Sequence, residues 1–212
     1  MTEETKMKIY RYVTGPIMVN TYLAYDDNNI GFVVDPGGPS RQLNDKIRDE
    51  HIDVQYILLT HGHGDHIGGI DALKEVAPHA ITVGFAAEAP MFTDPNLNSS
   101  RELFGREITV KIDKYVGDNE HLRVGDMDLT FLHTPGHTIG GMCILAHGYC
   151  FSGDTLFQCS IGRTDFYGGS FPQIIESIRK RLFVLPDDTI VLSGHTEQTT
   201  IGFEKENNPF VR

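Results

Sequence analysis

The spacing of hydrophobic positions changes twice along the chain, in the same order each time. Alternation of apolar and polar residues over Lys8 to Val13, Met18 to Tyr25 and Ile30 to Val34 predicts three strands. Between the last two, Asp26, Asp27, Asn28 and Asn29 have side chains that close a turn on its own backbone. The run Asp35, Pro36, Gly37, Gly38, Pro39 forces a sharp loop, and the period then lengthens. Leu43 and Ile47, set against Asp45, Lys46, Arg48, Asp49 and Glu50, predict an amphipathic helix with Ser40 as its N-cap. Tyr56 to Leu59 suits a buried strand. A loop of sequence THGHGDH follows, then a helix expected from about Ile67 to Val76, and a short strand at Ile81 to Val83. From Ala86 to Glu107, Pro90, Asp94, Pro95, Asn96, Asn98, Ser99 and Ser100 interrupt any long element, so short helices joined by turns are expected.

Strands resume at Thr109 to Ile112, Asp128 to Leu132, Met142 to Leu145 and Tyr149 to Ser152, the last two joined by a tight turn at Ala146, His147 and Gly148. Phe171 to Leu185 predicts a helix with Ile174, Ile175, Ile178, Leu182 and Leu185 on one stripe. Thr189 to Leu192 predicts a final strand, and Thr199 to Glu206 a short helix. Strands followed by helix, twice over, imply an α/β fold of two stacked sheets with helices outside. A chain of 212 residues removes roughly 70% of its extended surface from water on folding, enough for one domain over residues 1–212.

Composition narrows the partners. Hydrophobic residues at 40% exclude a disordered chain, and 18 basic against 29 acidic residues give a net charge of -11, which repels nucleic acid and anionic membranes. No stretch approaches the length of a membrane span, and the polar Met1 to Lys8 does not look like a secretory signal. Cys143, Cys150 and Cys159 are odd in number and lack a CxxC spacing, so a reducing, cytoplasmic compartment is expected. Nothing in the pattern decides between monomer and homodimer.

The chemistry concentrates after apolar strands. His61, Gly62, His63, Gly64, Asp65 and His66 follow the strand ending at Leu59 and supply four ligand-type side chains in six residues, enough for one metal ion or two close ones. His137 follows the strand ending at Leu132, Asp154 the strand ending at Ser152, and His195 the strand ending at Leu192, each just after a glycine. Two cations sharing one carboxylate can hold a nucleophilic hydroxide and polarise a carbonyl. Nitrogen and oxygen donors without cysteine leave zinc, iron and manganese open. Thr60, Thr138, Ser152 and Thr155 are candidates to orient these ligands. His133 is expected either to orient a ligand in the same way or merely to end a strand, while His51, His79, His121 and His147 read as surface or turn residues. Cys143 and Cys150 read as core fillers, and no base is evident beside Cys159 to make it a nucleophile.

Five segments together, LTHGHGDHIGG from Leu59, HTPGHTIGG from His133, FSGDTLF from Phe151, GRTDF from Gly162 and the tail SGHTEQTTIGFEKENNPF from Ser193, resemble the metallo-beta-lactamase fold superfamily and its small glyoxalase II-like hydrolase branch. The resemblance implies a four-layer αββα sandwich with a metal cleft along one edge. It also implies ligand sets: His61, His63 and His137 for a first ion, Asp65, His66 and His195 for a second, and Asp154 bridging them, with zinc the first expectation for both ions. Asp65 and Asp154 would thereby serve catalysis by tuning a metal-bridging hydroxide. The implied activity is hydrolysis of a small acyl thioester such as S-lactoylglutathione. Arg163 and Tyr167 are candidate substrate contacts, with a loop-bracing pair between Arg163 and Asp165 as the alternative for the arginine.

Full-length glyoxalase II enzymes carry a further helical domain that binds the glutathione carboxylates. With 17 residues after His195, weak selectivity for glutathione is expected here. Two other activities fit parts of the same motifs: a mononuclear iron persulfide dioxygenase with its metal on His61, His137 and Asp154, and a non-catalytic metal-binding or interaction protein.

Overall fold

The computed structural model describes residues 7–211; of the polar Met1 to Lys8 stretch, the part up to Lys6 lies outside them. Two six-stranded sheets stack face to face. The first contains β1 (Lys8–Thr14), β2 (Val19–Tyr25), β3 (Ile30–Val34), β4 (Asp53–Leu58), β5 (Ile81–Phe85) and β6 (Lys114–Val116), in that spatial order. The second contains β7 (His121–Val124), β8 (Met127–His133), β9 (Met142–Ala146) and β10 (Tyr149–Gly153), then β13 (Ile190–Ser193) and β14 (Thr199–Thr200), in the order β14-β13-β10-β9-β8-β7. A small hairpin of β11 (Leu156–Phe157) and β12 (Ser160–Ile161) stands apart.

Period-two alternation explains the layering, because successive side chains leave a strand on opposite faces. In β2, Tyr22 and Ala24 enter the core between the sheets while Leu23 and Tyr25 face outward to a second core. In β10, Phe151 joins the central core and Cys150 the outer one. Helices α1 (Arg41–Asp49), α2 (Gly64–Ile67) and α3 (Ile70–Lys74) cover the first sheet through Leu43, Ile47, Ile67, Ile70 and Leu73. The segment after β5 forms a 3-10 turn (Ala86–Glu88), α4 (Ala89–Thr93) and α5 (Ser100–Phe104). The second sheet is covered by α6 (Phe171–Ser177), a wide π-helical turn (Ile178–Leu182) and α7 (Ile201–Asn207), through Ile174, Ile178, Leu182 and Ile201. The result is the αββα sandwich expected from the sequence.

Several elements differ from the pattern-based expectation. The helix expected over Ile67 to Val76 is broken at Gly68 and Gly69: Gly69 N–H donates to Pro36 O at 2.7 Å, and a Cβ at Gly69 would lie 2.5 Å from Gly38 O, so two stretches of main chain touch there. The strand expected at Thr109 to Ile112 is displaced to Lys114–Val116. Ile108, Val110 and Ile112 do pack on the outer core, but Val110 N–H bonds to Phe92 O, so the ladder starts later. The helix expected to reach Leu185 ends at Leu182, where the chain widens and Phe183 N–H bonds to Ile178 O. The last helix begins at Ile201, because Thr199 and Thr200 pair with Val191 and Ile190 before Thr200 caps the helix.

Strand direction brings the ligand-bearing loops to one edge. β3, β4 and β5 run parallel, as do β10 and β13, and β8 shares the direction of β10 because each is antiparallel to β9. The C-terminal ends of β4, β8, β10 and β13 therefore open together, the usual location of ligand sites in sheets with parallel strands. Phe151 holds the two sheets in register, fully buried with its ring edge-on to Tyr22 and Phe32 at 5.6 and 5.8 Å. Phe151→Ala is expected to lower unfolding free energy by about 3–5 kcal/mol, measured by urea denaturation of the metal-free protein.

Candidate metal centre

All seven ligand-type residues meet where those strand ends converge. Three sets place one potential donor atom per residue within 4.8 Å of the others: His61, His63 and His137; Asp65, His66 and His195; and His61, His66 and Asp154. The first two match the sets implied by the resemblance. His63 Nδ1 and His137 Nε2 approach to 3.0 Å from different loops. Asp154 faces both groups, with Oδ1 3.4 Å from His66 Nε2 and Oδ2 3.6 and 3.7 Å from His137 Nε2 and His195 Nε2. Asp65 Oδ2 lies 3.4 Å from His195 Nε2.

The electrostatics suit a cationic guest. Burial, reinforced by neighbouring imidazoles, holds His61 far below the ordinary histidine range and pushes His63 down to about 3. Burial likewise lowers His137, so these rings are neutral with lone pairs to offer. Burial would also depress His66, but the carboxylates of Asp154, Asp65 and Asp35 outweigh it and raise this imidazole. Burial alone would raise Asp154 and Asp65; the surrounding imidazoles, His66 foremost, lower both instead. Among the described residues, the buried His61 Nε2, His66 Nε2 and Asp154 Oδ1 have no hydrogen-bond partner. Unpaired buried polar atoms are costly, and three of them aimed at one point are what a bound metal ion would satisfy.

On His66, His61 and His137 the ring nitrogen pointing away from the centre is held by the protein, whereas the buried Nε2 of His63 has no partner among the described residues. His66 Nδ1 bonds to Asp35 Oδ2 at 2.9 Å, and Asp35 also accepts from Thr60 N–H at 2.8 Å and Thr60 Oγ1 at 2.6 Å. Thr60 Oγ1 lies 3.1 Å from His61 Nδ1, and His137 Nδ1 lies 2.7 Å from the main-chain oxygen of Arg163. Such contacts choose the tautomer and present the opposite nitrogen. Of the other hydroxyls expected to orient ligands, Ser152 bonds to Leu156 O, Thr155 pairs with Thr134, and the buried Thr138 hydroxyl faces the carboxylate of Glu88. Sequence reasoning missed Asp35, which stands at a strand end like the later ligands, directly after the apolar Ile30–Val34, but without the preceding glycine that marked them.

A cavity of about 360 Å³ opens in front of the centre, lined by His63, Asp65, His137, Asp154 and His195 with Ile17, Phe157, Ile161 and Phe166 as apolar walls. Arg163 also lines it, yet its Nε and Nη2 both bond to Asp165 at 2.6 Å, and its guanidinium lies 3.9 Å over the Phe166 ring. Tyr167 is 48% exposed and is not among the lining residues; Phe166, the preceding side chain, takes that place and packs on His63. His133 stays outside the centre, stacked on Phe85 and bonded to Ile139 O. Cys143 and Cys150 are buried in the outer core, and Cys159 is exposed in the β11–β12 turn.

Comparison with known proteins agrees with the geometry. The family described as the metallo-beta-lactamase superfamily matches residues 14–195. The chain is 36% identical over 200 residues to hydroxyacylglutathione hydrolase GloC of Haemophilus influenzae, covering 91% of this chain and 92% of that protein. Among solved structures, the BLEG-1 B3 metallo-beta-lactamase superposes with a TM-score of 0.90 at 38% identity, covering 96% of this chain and 99% of the other. TTHA1623 in a di-iron-bound form superposes with a TM-score of 0.82 at 29% identity, covering 95% and 99%.

Asp35→Asn keeps the size of the side chain but removes the carboxylate that orients His66. It is expected to weaken metal binding at the Asp65, His66, His195 set by about tenfold or more, measured by competition with a chelator of known affinity.

Proposed function

Because the chain belongs to the metallo-beta-lactamase superfamily and is a metal-dependent hydrolase with two candidate metal positions, we propose that its substrate is a small acyl thioester, S-lactoylglutathione or a close analogue. The observation that carries this proposal is the placement of Asp154 between two complete ligand sets, at the floor of a cavity with apolar walls. The similarity to GloC supports the thioester class. When bound, a pair of divalent cations, zinc in our proposal, supplies Lewis acidity and an activated water.

The chain's own residues do the rest. Asp154 and Asp65, whose carboxyls the surrounding imidazoles keep ionised, would help hold the cations. Phe157, Ile161, Phe166 and Ile17 exclude water and offer surface to the acyl group and the carbon chain of the thiol. A thiol leaving group, with an ordinary pKa near about 8.5, departs as the thiolate without a strong general acid, and this mechanism calls for no acid among the lining residues. Arg163 is already neutralised by Asp165, so the cavity offers little free positive charge to a glutathione carboxylate. We therefore expect a high KM and tolerance of shorter thiol carriers. A reducing cytoplasm suits both this substrate and the three free cysteines.

The second ligand set favours hydrolysis over oxidation at a single iron, which needs only His61, His137 and Asp154. Elemental analysis should find two metal ions per chain. The zinc, iron and manganese forms should then be assayed on thioesters, lactones, β-lactams and phosphodiesters. The lactoyl thioester is expected to give the highest kcat/KM; preference for another class, or no turnover by any metal form, would defeat the proposal. Asp154→Asn is expected to lower thioester kcat/KM at least about 100-fold, roughly 2.7 kcal/mol of transition-state stabilisation, in a protein that still folds. Lactoyl thioesters of glutathione and of a neutral thiol with matched leaving-group pKa should differ by less than about 1,000-fold, or roughly 4 kcal/mol, in kcat/KM.

A further inference from the structure

Glu88 is a fully buried acid outside the metal centre, in the turn that follows β5. Among the described residues it has no basic partner; burial raises its carboxyl, and the main-chain N–H of Gly62, the Thr138 hydroxyl and the main-chain N–H of Gly140 oppose that rise. Gly62 N–H donates to Oε1 at 2.9 Å and Gly140 N–H to Oε2 at 2.6 Å. These two donors come from different sheets. Gly62 lies between His61 and His63, in the loop after β4 of the first sheet. Gly140 lies three residues beyond His137, in the loop between β8 and β9 of the second.

One carboxylate thus spans the gap between the loops that supply the first ligand set. Its own position is fixed by β5, which pairs with β4 and accepts Leu59 N–H at Val83 O. The contact with the second loop is close: a Cβ at Gly140 would lie 2.3 Å from Glu88 N. The second ligand set is braced elsewhere, since Asp35 holds His66. We infer that Glu88 is a positioning residue that sets the distance between His137 and the His61, His63 pair, and so governs metal affinity at the first set selectively. This inference rests on the two-metal function proposed above. An amide cannot replace the carboxylate, because glutamine offers one acceptor and turns its Nε2–H₂ against the other N–H donor.

The test separates the two sites. In a His195→Ala background, which disables the second set, Glu88→Gln is expected to weaken zinc binding tenfold or more in chelator competition. In a His137→Ala background, which disables the first, the same change should alter affinity less than threefold. Visible absorption of the cobalt(II) forms should shift in the first background and not in the second. Gly140→Ala, which displaces the second loop from the intact carboxylate, is expected to give the same selective loss and serves if Glu88→Gln fails to fold. Equal losses in both backgrounds, no loss in either, or failure of both variants to fold would overturn the inference and leave Glu88 a residue of the fold alone. Absence of zinc binding by the wild-type protein would instead defeat the two-metal function.

Discussion

A carboxylate as buried as that of Asp154 persists in ionised form only if positive charge faces it, and the arrangement of both sheets follows from meeting that condition at one point. His66, His137 and His195 face Asp154 from three different loops, and none of them can do so unless its strand ends at the same edge. Parallel pairing within each half and the packing of Phe151 between the halves supply that common edge. Without cations the balance is uneven: His61, His63 and His137 are driven towards neutrality while His66 is driven towards charge. Cations at the centre would remove this conflict, because imidazole lone pairs and carboxylates are then all on the favourable side of the interaction.

Legibility in the sequence followed the range of the interactions involved. The seven ligand-type residues were visible because each follows an apolar strand, a purely local signal, and the strands were visible from alternation. The break at Gly68 and Gly69 was not, since it arises from contact with Gly38, about thirty residues earlier and meaningful only once the sheet is assembled. The displaced strand at Lys114–Val116 has the same origin: the alternation over Ile108, Val110 and Ile112 correctly marks a packed face, while the hydrogen bond to Phe92 that keeps this stretch out of the ladder is tertiary. The β11–β12 hairpin has two-residue strands, too short for any periodic signal.

The excursion after β5 shows why a weak local pattern does not mean a loose segment. Asn98 is buried with its side-chain amide nitrogen donating to Met91 O and Ile108 O, and its main-chain carbonyl accepts Gly64 N–H at 2.9 Å. The short helices α4 and α5 therefore form the back of the histidine-rich loop, and their irregular sequence reflects fitting to that loop's main chain rather than to a face of a sheet. Glu88 had no signal in the sequence for the same reason, as it contacts two backbone amides and the Thr138 hydroxyl from loops distant in the chain.

The bond from His137 Nδ1 to the carbonyl of Arg163 has a consequence for how such a protein can change. The group that orients the imidazole is main chain, so it survives replacement of the Arg163 side chain as long as the loop keeps its path. The same loop sends Arg163 and Phe166 into the mouth of the cavity. One short stretch of chain thus separates two duties at Arg163, with its backbone committed to the metal ligand and its side chain turned to Asp165 and the cavity mouth. Mutational drift at position 163 can exchange one set of acceptable molecules for another while the bond that orients His137 stays intact, which makes this position the natural place for new substrate preferences to arise.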